Sequence, residues 1–197
     1  MKKIVKIANG QGFWGDSIDA PVNLIKYGKI DYLTLDYLAE VTLSIMQKQK
    51  QKNSKWGYAT DFIELVKRIL PEIDNSQLKV ITNAGGVNPD SCRDELLKLT
   101  DNVKIGVVKG DDIIKDIDSL RIKGVSFKNM DTGQKFEDIS DKIYSANVYI
   151  DSFCIADALD KGASIVLAGR VSDPGLALGP CIHEYNWSKN EFDKIAS

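Results

Sequence analysis

Short apolar runs alternate with amphipathic stretches along most of the chain. The runs show little polar alternation, which is typical of parallel strands buried on both faces. Between them, apolar residues recur at helical spacing, as in the stripe from Phe62 to Leu70, and Pro71 is predicted to end that helix. The pattern predicts six strands, at Lys3–Ala8, Tyr32–Leu35, Lys79–Thr82, Val103–Val108, Asn147–Ile150 and Ser164–Ala168.

Repeated strand–helix units predict an α/β fold with a mostly parallel sheet and right-handed crossovers. We favour a three-layer sandwich, with helices on both faces of the sheet, in a single domain over residues 1–197. A partial (β/α) barrel is the alternative. The segment 123–139 alternates apolar and polar residues around Asp131-Thr132-Gly133, which predicts a small β-hairpin inserted between crossover units.

Composition and charge narrow the function classes. The chain has 197 residues, of which 43% are hydrophobic, and a formal net charge of -2. Such a balance leaves no basic excess for binding a nucleic-acid backbone. No apolar run approaches the roughly 20 residues that span a bilayer, and the apolar start is too short for a signal peptide. We therefore expect a cytoplasmic protein that binds neither nucleic acid nor membrane.

Polar side chains and glycines follow the predicted strands. In a parallel sheet the carboxyl ends of the strands share one edge, where ligands bind. The sequence thus predicts a small-molecule site at this edge. The residues expected to bind the ligand are Asn9, Gly10, Gly12, Phe13, Trp14, Asp16, Asn83, Gly85, Gly86, Lys109 and Asp173.

The glycines at 10, 12 and 15 have the spacing of a dinucleotide-binding loop. That loop needs a helix to begin inside the motif, but Phe13 and Trp14 occupy the positions of its small residues. Asp16 would also repel a phosphate. We therefore expect the helix to begin later and consider NAD(P) an unfavoured cofactor. The glycines instead would allow a loop that lays Phe13 and Trp14 over the sheet edge.

Four residues are candidates for catalysis. Asp36 and Glu40 are four apart, so a helix beginning at Asp36 would present both carboxylates on one face, for acid–base work or for Mg²⁺. Asp151 follows the fifth predicted strand. Arg170 follows the sixth, where it could hold a carboxylate or form an ion pair with Asp173. A further hypothesis makes Cys154 a nucleophile at a helix N-terminus.

Several motifs lie along the chain in a recognisable order. They are the stretches Asn9–Ala20, Leu35–Ile45, Gly57–Phe62, Asn83–Pro89, Gly110–Asp112 and Ala168–Trp187. Together they resemble the N-terminal domain of the acyclic terpene utilisation (AtuA-like) family, over nearly the whole chain and with similar spacing.

The resemblance implies a role in breakdown of acyclic terpenes, in a setting of acyl-CoA carboxylases, with no assigned molecular activity. It suggests a lyase, hydratase or hydrolase that acts on a small organic acid or a CoA thioester. Because members are typically longer, it also suggests a C-terminal half or a partner subunit. The alternatives are a non-catalytic ligand-binding or assembly subunit and, less favoured, an NAD(P)-dependent oxidoreductase. A homo-oligomer is also compatible with the sequence.

Overall fold

The computed structural model describes residues 4–75 and 77–196. Its five strands are β1 (Ile7–Gln11), β2 (Tyr32–Leu35), β3 (Lys79–Thr82), β4 (Ile105–Val108) and β5 (Ile165–Ala168). All neighbouring pairs are parallel, in the order β1-β2-β3-β5-β4. The predicted parallel α/β sheet is confirmed.

Eight α-helices accompany these strands in the described residues. They are α1 (Asp19–Gly28), α2 (Glu40–Lys52), α3 (Thr60–Asn75), α4 (Pro89–Leu97), α5 (Ile117–Ile122), α6 (Phe153–Asp160), α7 (Gly175–Tyr185) and α8 (Phe192–Ile195). Two 3₁₀ helices, Phe136–Asp138 and Ser140–Lys142, lie between α5 and α6. None of the described helices is long and apolar enough to cross a membrane.

Successive side chains along the strands pack alternately into two separate hydrophobic cores. Leu33 and Leu167 belong to one core, to which α1, α2, α3 and α4 contribute, whereas Val166 and Ala168 belong to the other, with α6 and α7. Successive side chains of a strand point to opposite faces, so strands covered on both sides must be apolar throughout. Helices therefore lie on both faces of the sheet, as the three-layer prediction requires.

The predicted first and fifth strands need correction. Lys3 lies outside the described residues, and β1 begins at Ile7 and continues through Gly10 to Gln11. The segment 147–150 forms only isolated bridges, from Asn147 to Asp112 and from Ile150 to Val171. Its apolar residues resemble a strand in sequence, but the sheet position beside β4 stays unpaired in the described residues.

The predicted hairpin at 123–139 has its turn but not its strands. The Asn129 N–H donates to the Gln134 carbonyl, and the Gly133 N–H donates to the Asn129 carbonyl. The Asn129 side-chain oxygen accepts from the backbone N–H groups of Asp131 and Thr132. The flanking residues form no ladder, and the chain continues into a 3₁₀ helix. The segment is largely exposed, so no packed face selects the β register that its alternation suggested.

The helix α3 does not stop at Pro71, contrary to the sequence prediction. It continues to Asn75 and buries Ile73 in the core. A proline inside a helix removes one backbone hydrogen bond, and burial of the following apolar residue offsets that cost.

Candidate functional site

The carboxyl ends of β2 and β3 are joined by a side-chain pair. Asn83, only 2% exposed, donates from Nδ2 to Asp36 Oδ1 at 2.6 Å. Its Oδ1 accepts from the Tyr37 backbone N–H at 2.7 Å. Asp36 Oδ1 also accepts from the Leu38 N–H at 3.2 Å. These bonds hold the loop after β2 over the sheet edge, which makes Asn83 and Asp36 positioning residues for that loop.

Because the Asp36 carboxylate is occupied in this way, the chain does not become helical there. The helix α2 begins at Glu40, where Thr42 Oγ1 accepts from the Ala39 N–H at 2.6 Å. The expectation that Asp36 and Glu40 share one helix face is therefore wrong. Asp36 contacts Asn83, whereas Glu40 lies beside a different strand end.

Arg170 follows β5 and reaches across to this loop. Its guanidinium is 6% exposed as a side chain and donates from Nη1 to the Leu38 carbonyl at 2.7 Å. From Nη2 it donates to the Tyr149 hydroxyl at 2.9 Å and approaches Glu40 Oε1 at 3.4 Å. The ion pair with Asp173, which the sequence offered as the alternative to ligand binding by Arg170, is present at 3.2 Å. A buried guanidinium at the sheet edge is thus held between two exposed carboxylates.

Tyr149 is the member of this cluster that the sequence interpretation missed. Its ring centroid lies 4.4 Å from the Arg170 guanidinium carbon, and its hydroxyl donates to Glu40 Oε1 at 3.0 Å. The Glu40 backbone N–H, the Tyr149 hydroxyl and the Arg170 charge together lower the pKa of Glu40. Burial disfavours charge on Arg170, but Tyr149 and Asp173 still raise the pKa of Arg170. The pair is therefore ionised at neutral pH.

The buried Asp111 carboxylate holds the backbone of Arg170 in place. It is 5% exposed, and its Oδ2 accepts from the Arg170 backbone N–H at 2.9 Å and from Asn147 Nδ2 at 2.8 Å. Gly169 makes this contact feasible, because a Cβ there would lie 2.5 Å from Asp111 Oδ1. The sequence places Asp111 and Asp112 in one turn, but only the fold shows that Asp111 is buried.

A cavity of about 220 Å³ opens beside this cluster, which we call the inner cavity. Its wall includes Glu40, Asn147, Tyr149 and Arg170. A smaller space of about 180 Å³ lies near Lys109, which pairs with Asp90 at 2.9 Å and lowers the pKa of that carboxyl. Lys109 therefore lies at the same edge but in a separate space.

A larger cavity, about 410 Å³, runs along β4 and α6 and contains Cys154. Burial, followed by the nearby Asp151, raises the pKa of the Cys154 thiol. A protonated thiol is a weak nucleophile, so the raised pKa does not favour the Cys154 hypothesis. We place the candidate site at the inner cavity, because the buried Arg170 charge and several polar side chains converge there.

The glycine-rich segment folds differently from a dinucleotide-binding loop. Gly10 lies inside β1, where a Cβ would approach Pro21 to 2.7 Å, and α1 begins only at Asp19. The expectation of a later helix start is confirmed. Asp16 Oδ2 accepts from the Gly12 N–H at 3.0 Å and so closes the loop on itself.

The two aromatic residues of that loop have different surroundings. Trp14 packs against the core and donates from Nε1 to Asp61 Oδ1 at 2.9 Å, whereas Phe13 is exposed. The buried residues Gln11 and Tyr37 each keep a side-chain oxygen without a partner among the described residues. None of these side chains lines the inner cavity.

The other predicted site residues serve local structure. Asn9 lies within β1 opposite Thr34, not at the strand end. A Cβ on Gly85 would meet the Ala168 carbonyl at 2.6 Å, and one on Gly86 would meet Met46 Sδ at 2.3 Å. Asp151 is exposed and accepts from the Phe153 N–H at 2.9 Å, at the start of α6. The fold therefore joins Glu40, Arg170 and Asp173, and none of these other four residues lines the inner cavity.

The described residues contain no group of three or more His, Cys, Asp or Glu side chains arranged to hold a metal ion. In particular, the two carboxylates that the sequence suggested as Mg²⁺ ligands have different partners. Asp36 is bonded to Asn83, whereas Glu40 is bonded to Tyr149 and Arg170. The polar side chains that line the inner cavity are the Arg170 guanidinium, the Tyr149 phenol, the Asn147 amide, the Glu40 carboxylate and the hydroxyls of Ser44 and Ser145.

These features define an α/β protein with an arginine-centred cavity at the carboxyl edge of its sheet. The chain belongs to the acyclic terpene utilisation family AtuA, whose model matches residues 5–197. This match confirms the resemblance drawn from the motifs. No curated protein and no solved structure matches the chain.

Proposed function

We propose that this protein binds a small organic acid, free or as its CoA thioester, in the inner cavity. The observation that carries the proposal is the buried Arg170 guanidinium, which lies at a cavity wall at the carboxyl end of a central strand. Ligands of parallel α/β folds bind at this edge. An arginine also pairs with a carboxylate through two parallel hydrogen bonds.

The partners of Arg170 fall into two groups. The Leu38 carbonyl and the Tyr149 ring orient the guanidinium, whereas Glu40 and Asp173 are exposed carboxylates at 76% and 68% of their side-chain surfaces. Because water reaches most of each carboxylate side chain and can replace its contact with Arg170, a ligand carboxylate can displace either one. Arg170 is thus oriented before the ligand arrives.

The reaction that this site suits is an acid–base step of a lyase, hydratase or hydrolase. The ionised Glu40 can accept a proton, and the Tyr149 hydroxyl, which bonds to it, can donate one. Arg170 would hold the acid and stabilise negative charge that develops on its carbonyl oxygen. Branched-chain or terpenoid acids are the substrate class that the family description suggests.

The test is a binding screen by thermal shift and calorimetry with small mono- and dicarboxylic acids, acyl-CoA thioesters and NAD(P). Replacing Arg170 by lysine keeps the charge but loses the paired geometry, so we expect acid binding to weaken by about tenfold or more. The matched control is Arg68→Lys, in which the exposed pair with Asp19 changes far from the cavity.

Unchanged acid binding by Arg170→Lys, or protection by NAD(P) in preference to acids, would contradict the proposal. Binding without turnover, even with the screened acids at saturation, would favour the non-catalytic ligand-binding subunit over the enzyme. Tyr149→Phe is the second variant, because it removes only the hydroxyl and leaves the ring over Arg170.

A further inference from the structure

The strand β4 lies at one edge of the sheet, and among the described residues it pairs only with β5. The Ile165 N–H donates to the Lys104 carbonyl at 3.2 Å. Successive residues of a strand direct their backbone groups alternately to its two sides, so the N–H and C=O groups of Ile105 and Val107 point away from β5. No described residue bonds to them. The outer side of β4 can therefore pair with a further strand.

The opposite edge of the sheet, β1, is less suited to such pairing. Its register with β2 shifts between Asn9 and Gln11, and irregularities of this kind protect an edge strand. The strand β4 has a regular register and no charged residue within it. Three of its four residues are only half-buried, whereas all four residues of β5 are buried. An added strand would complete the burial of β4.

The cavity of about 410 Å³ lies along this edge, between β4 and α6, and we call it the β4 groove. Gly106 lines the groove and packs against α6, since a Cβ there would lie 3.0 Å from the Ala158 Cβ. The face of α6 that lines the groove contains Cys154, Asp157, Ala158 and Lys161. Gly106 and Ala158 therefore lie at the same level along the groove.

This face of α6 carries one charge of each sign. Asp157 and Lys161 are exposed, and neither forms an ion pair with a described residue. Lys104 Nζ donates to the Lys161 carbonyl, so α6 ends beside the start of β4 and runs antiparallel to it. Measured along the helix axis from Ala158, Asp157 lies about 1.5 Å toward the start of α6 and Lys161 about 4.5 Å toward its end.

We infer that the β4 edge binds a second copy of this chain, so that the two sheets continue through an antiparallel pair of β4 strands. The two-fold axis passes through Gly106. In this register Ile105 of each copy is opposite Val107 of the other, and the two exchange their outward N–H and C=O groups. Gly106 suits the axis, because opposite residues of a non-hydrogen-bonded pair lie only about 4.5 Å apart at Cα.

The same axis brings opposite charges together. The helix α6 lies over both β4 and β5, which leaves room for α6 of the second copy across the groove. The two helices run antiparallel, so Lys161 of one copy and Asp157 of the other lie on the same side of the axis, about 3 Å apart along it. The contact is reciprocal, as a two-fold interface requires. Lys104 and Lys109, at the two ends of β4, are not opposite each other in this register.

The test is sedimentation velocity over a range of protein concentrations, with Asp157→Lys and Lys161→Asp as variants. The first variant places two lysines opposite each other at each contact, and the second places two aspartates there. We expect each variant alone to associate about tenfold more weakly than the wild type, because like charges face each other across the interface. An equimolar mixture of the two variants restores opposite charges at both contacts, so the mixture should associate as tightly as the wild type.

The matched controls are Asp74→Lys and Lys55→Asp, which make the same charge changes at exposed residues outside the groove. Each control should self-associate like the wild type. All four substitutions replace exposed side chains, so all variants should fold, and circular dichroism checks this. The mixture also distinguishes a contact between copies from an effect within one helix, because mixing cannot change the helix of either variant.

Hydrogen exchange of the wild type locates the interface. The outward amides of Ile105 and Val107 should exchange more slowly as the protein concentration rises, and this protection should be lost in Asp157→Lys alone. A wild type that stays monomeric, a mixture of the two variants that does not associate, or a dimer in which these two amides remain unprotected would each overturn the inference. The inference does not depend on acid binding, so the proposed function is unaffected by any of these results.

Discussion

The Asp111 carboxylate is the support on which the Arg170 cluster depends, and its removal should be costly. The substitution is Asp111→Ala, compared with Asp111→Asn. In the alanine variant the buried Arg170 backbone N–H and the Asn147 amide both lose their acceptor. In the asparagine variant an amide oxygen can occupy the position of Oδ2 and keep both bonds, but without the charge.

The magnitude follows from these two bonds. A hydrogen bond to a charged group contributes about 1.5–3 kcal/mol, and an unsatisfied buried donor costs about 1–3 kcal/mol. Allowing for relaxation and for water reaching Asn147, we expect Asp111→Ala to lower the free energy of unfolding by about 3–4 kcal/mol. Asp111→Asn should cost about 1–2 kcal/mol, since it loses only the charge-assisted part of each bond.

The assay is equilibrium urea unfolding followed by circular dichroism and by tryptophan fluorescence, with the slope m checked for constancy. The matched control is the neighbouring residue, as Asp112→Ala changes an exposed carboxylate whose contact is the local Ile114 N–H. We expect less than about 1 kcal/mol there. An Asp111→Ala cost no larger than that of the control would refute the assignment of Asp111 as a buried support.

Two other predictions test the packing and the electrostatics of the same edge. Gly85→Ala should destabilise by about 1–3 kcal/mol, because its Cβ would lie 2.6 Å from the Ala168 carbonyl. Gly12→Ala, with no atom within 4 Å of its Cβ, should change urea stability little, and equal costs would contradict this packing. The lowered pKa of Glu40 stabilises the fold above the ordinary glutamate value of 4.5, and this contribution is lost as pH falls through the lowered pKa. The free energy of unfolding in urea should therefore fall less steeply with decreasing pH below 4.5 in Glu40→Gln than in the wild type. Parallel plots of this free energy against pH for the two proteins would show that Glu40 contributes nothing.

Much of the fold was predictable because parallel strands carry a strong local signal. The runs at Tyr32–Leu35 and Lys79–Thr82 match β2 and β3 residue for residue. The run at Asn147–Ile150 looks equally strand-like, yet it makes only isolated bridges. An apolar run indicates that a segment is buried against the rest of the protein, but it does not show which element it packs against. The sequence pattern therefore does not distinguish a strand from a packed loop.

The candidate site was predictable in part and for the same reason. Parallel strands bring their carboxyl ends to one edge, so Arg170 and Asp173 could be expected there with Glu40 close by. The sequence did not single out Tyr149 and Asp111, because their roles depend on contacts across 21 and 59 residues of chain. No local pattern encodes contacts of that kind.

The amino-acid sequence by itself determined the class of fold, the family and the edge of the sheet where polar groups gather, since each depends on local periodicity and on ordered motifs. Tertiary structure decided which of those polar groups are buried and paired. It turned predicted ligand-binding glycines into packing contacts and made Asp36 a positioning residue. It also placed Arg170 in the wall of the inner cavity, between the Glu40 and Asp173 carboxylates. The physical reason is that a charge or hydrogen bond changes the free energy of folding more when it is buried than when it is exposed to water. Whether a side chain is buried depends on how the helices pack on the sheet, which the local sequence does not show.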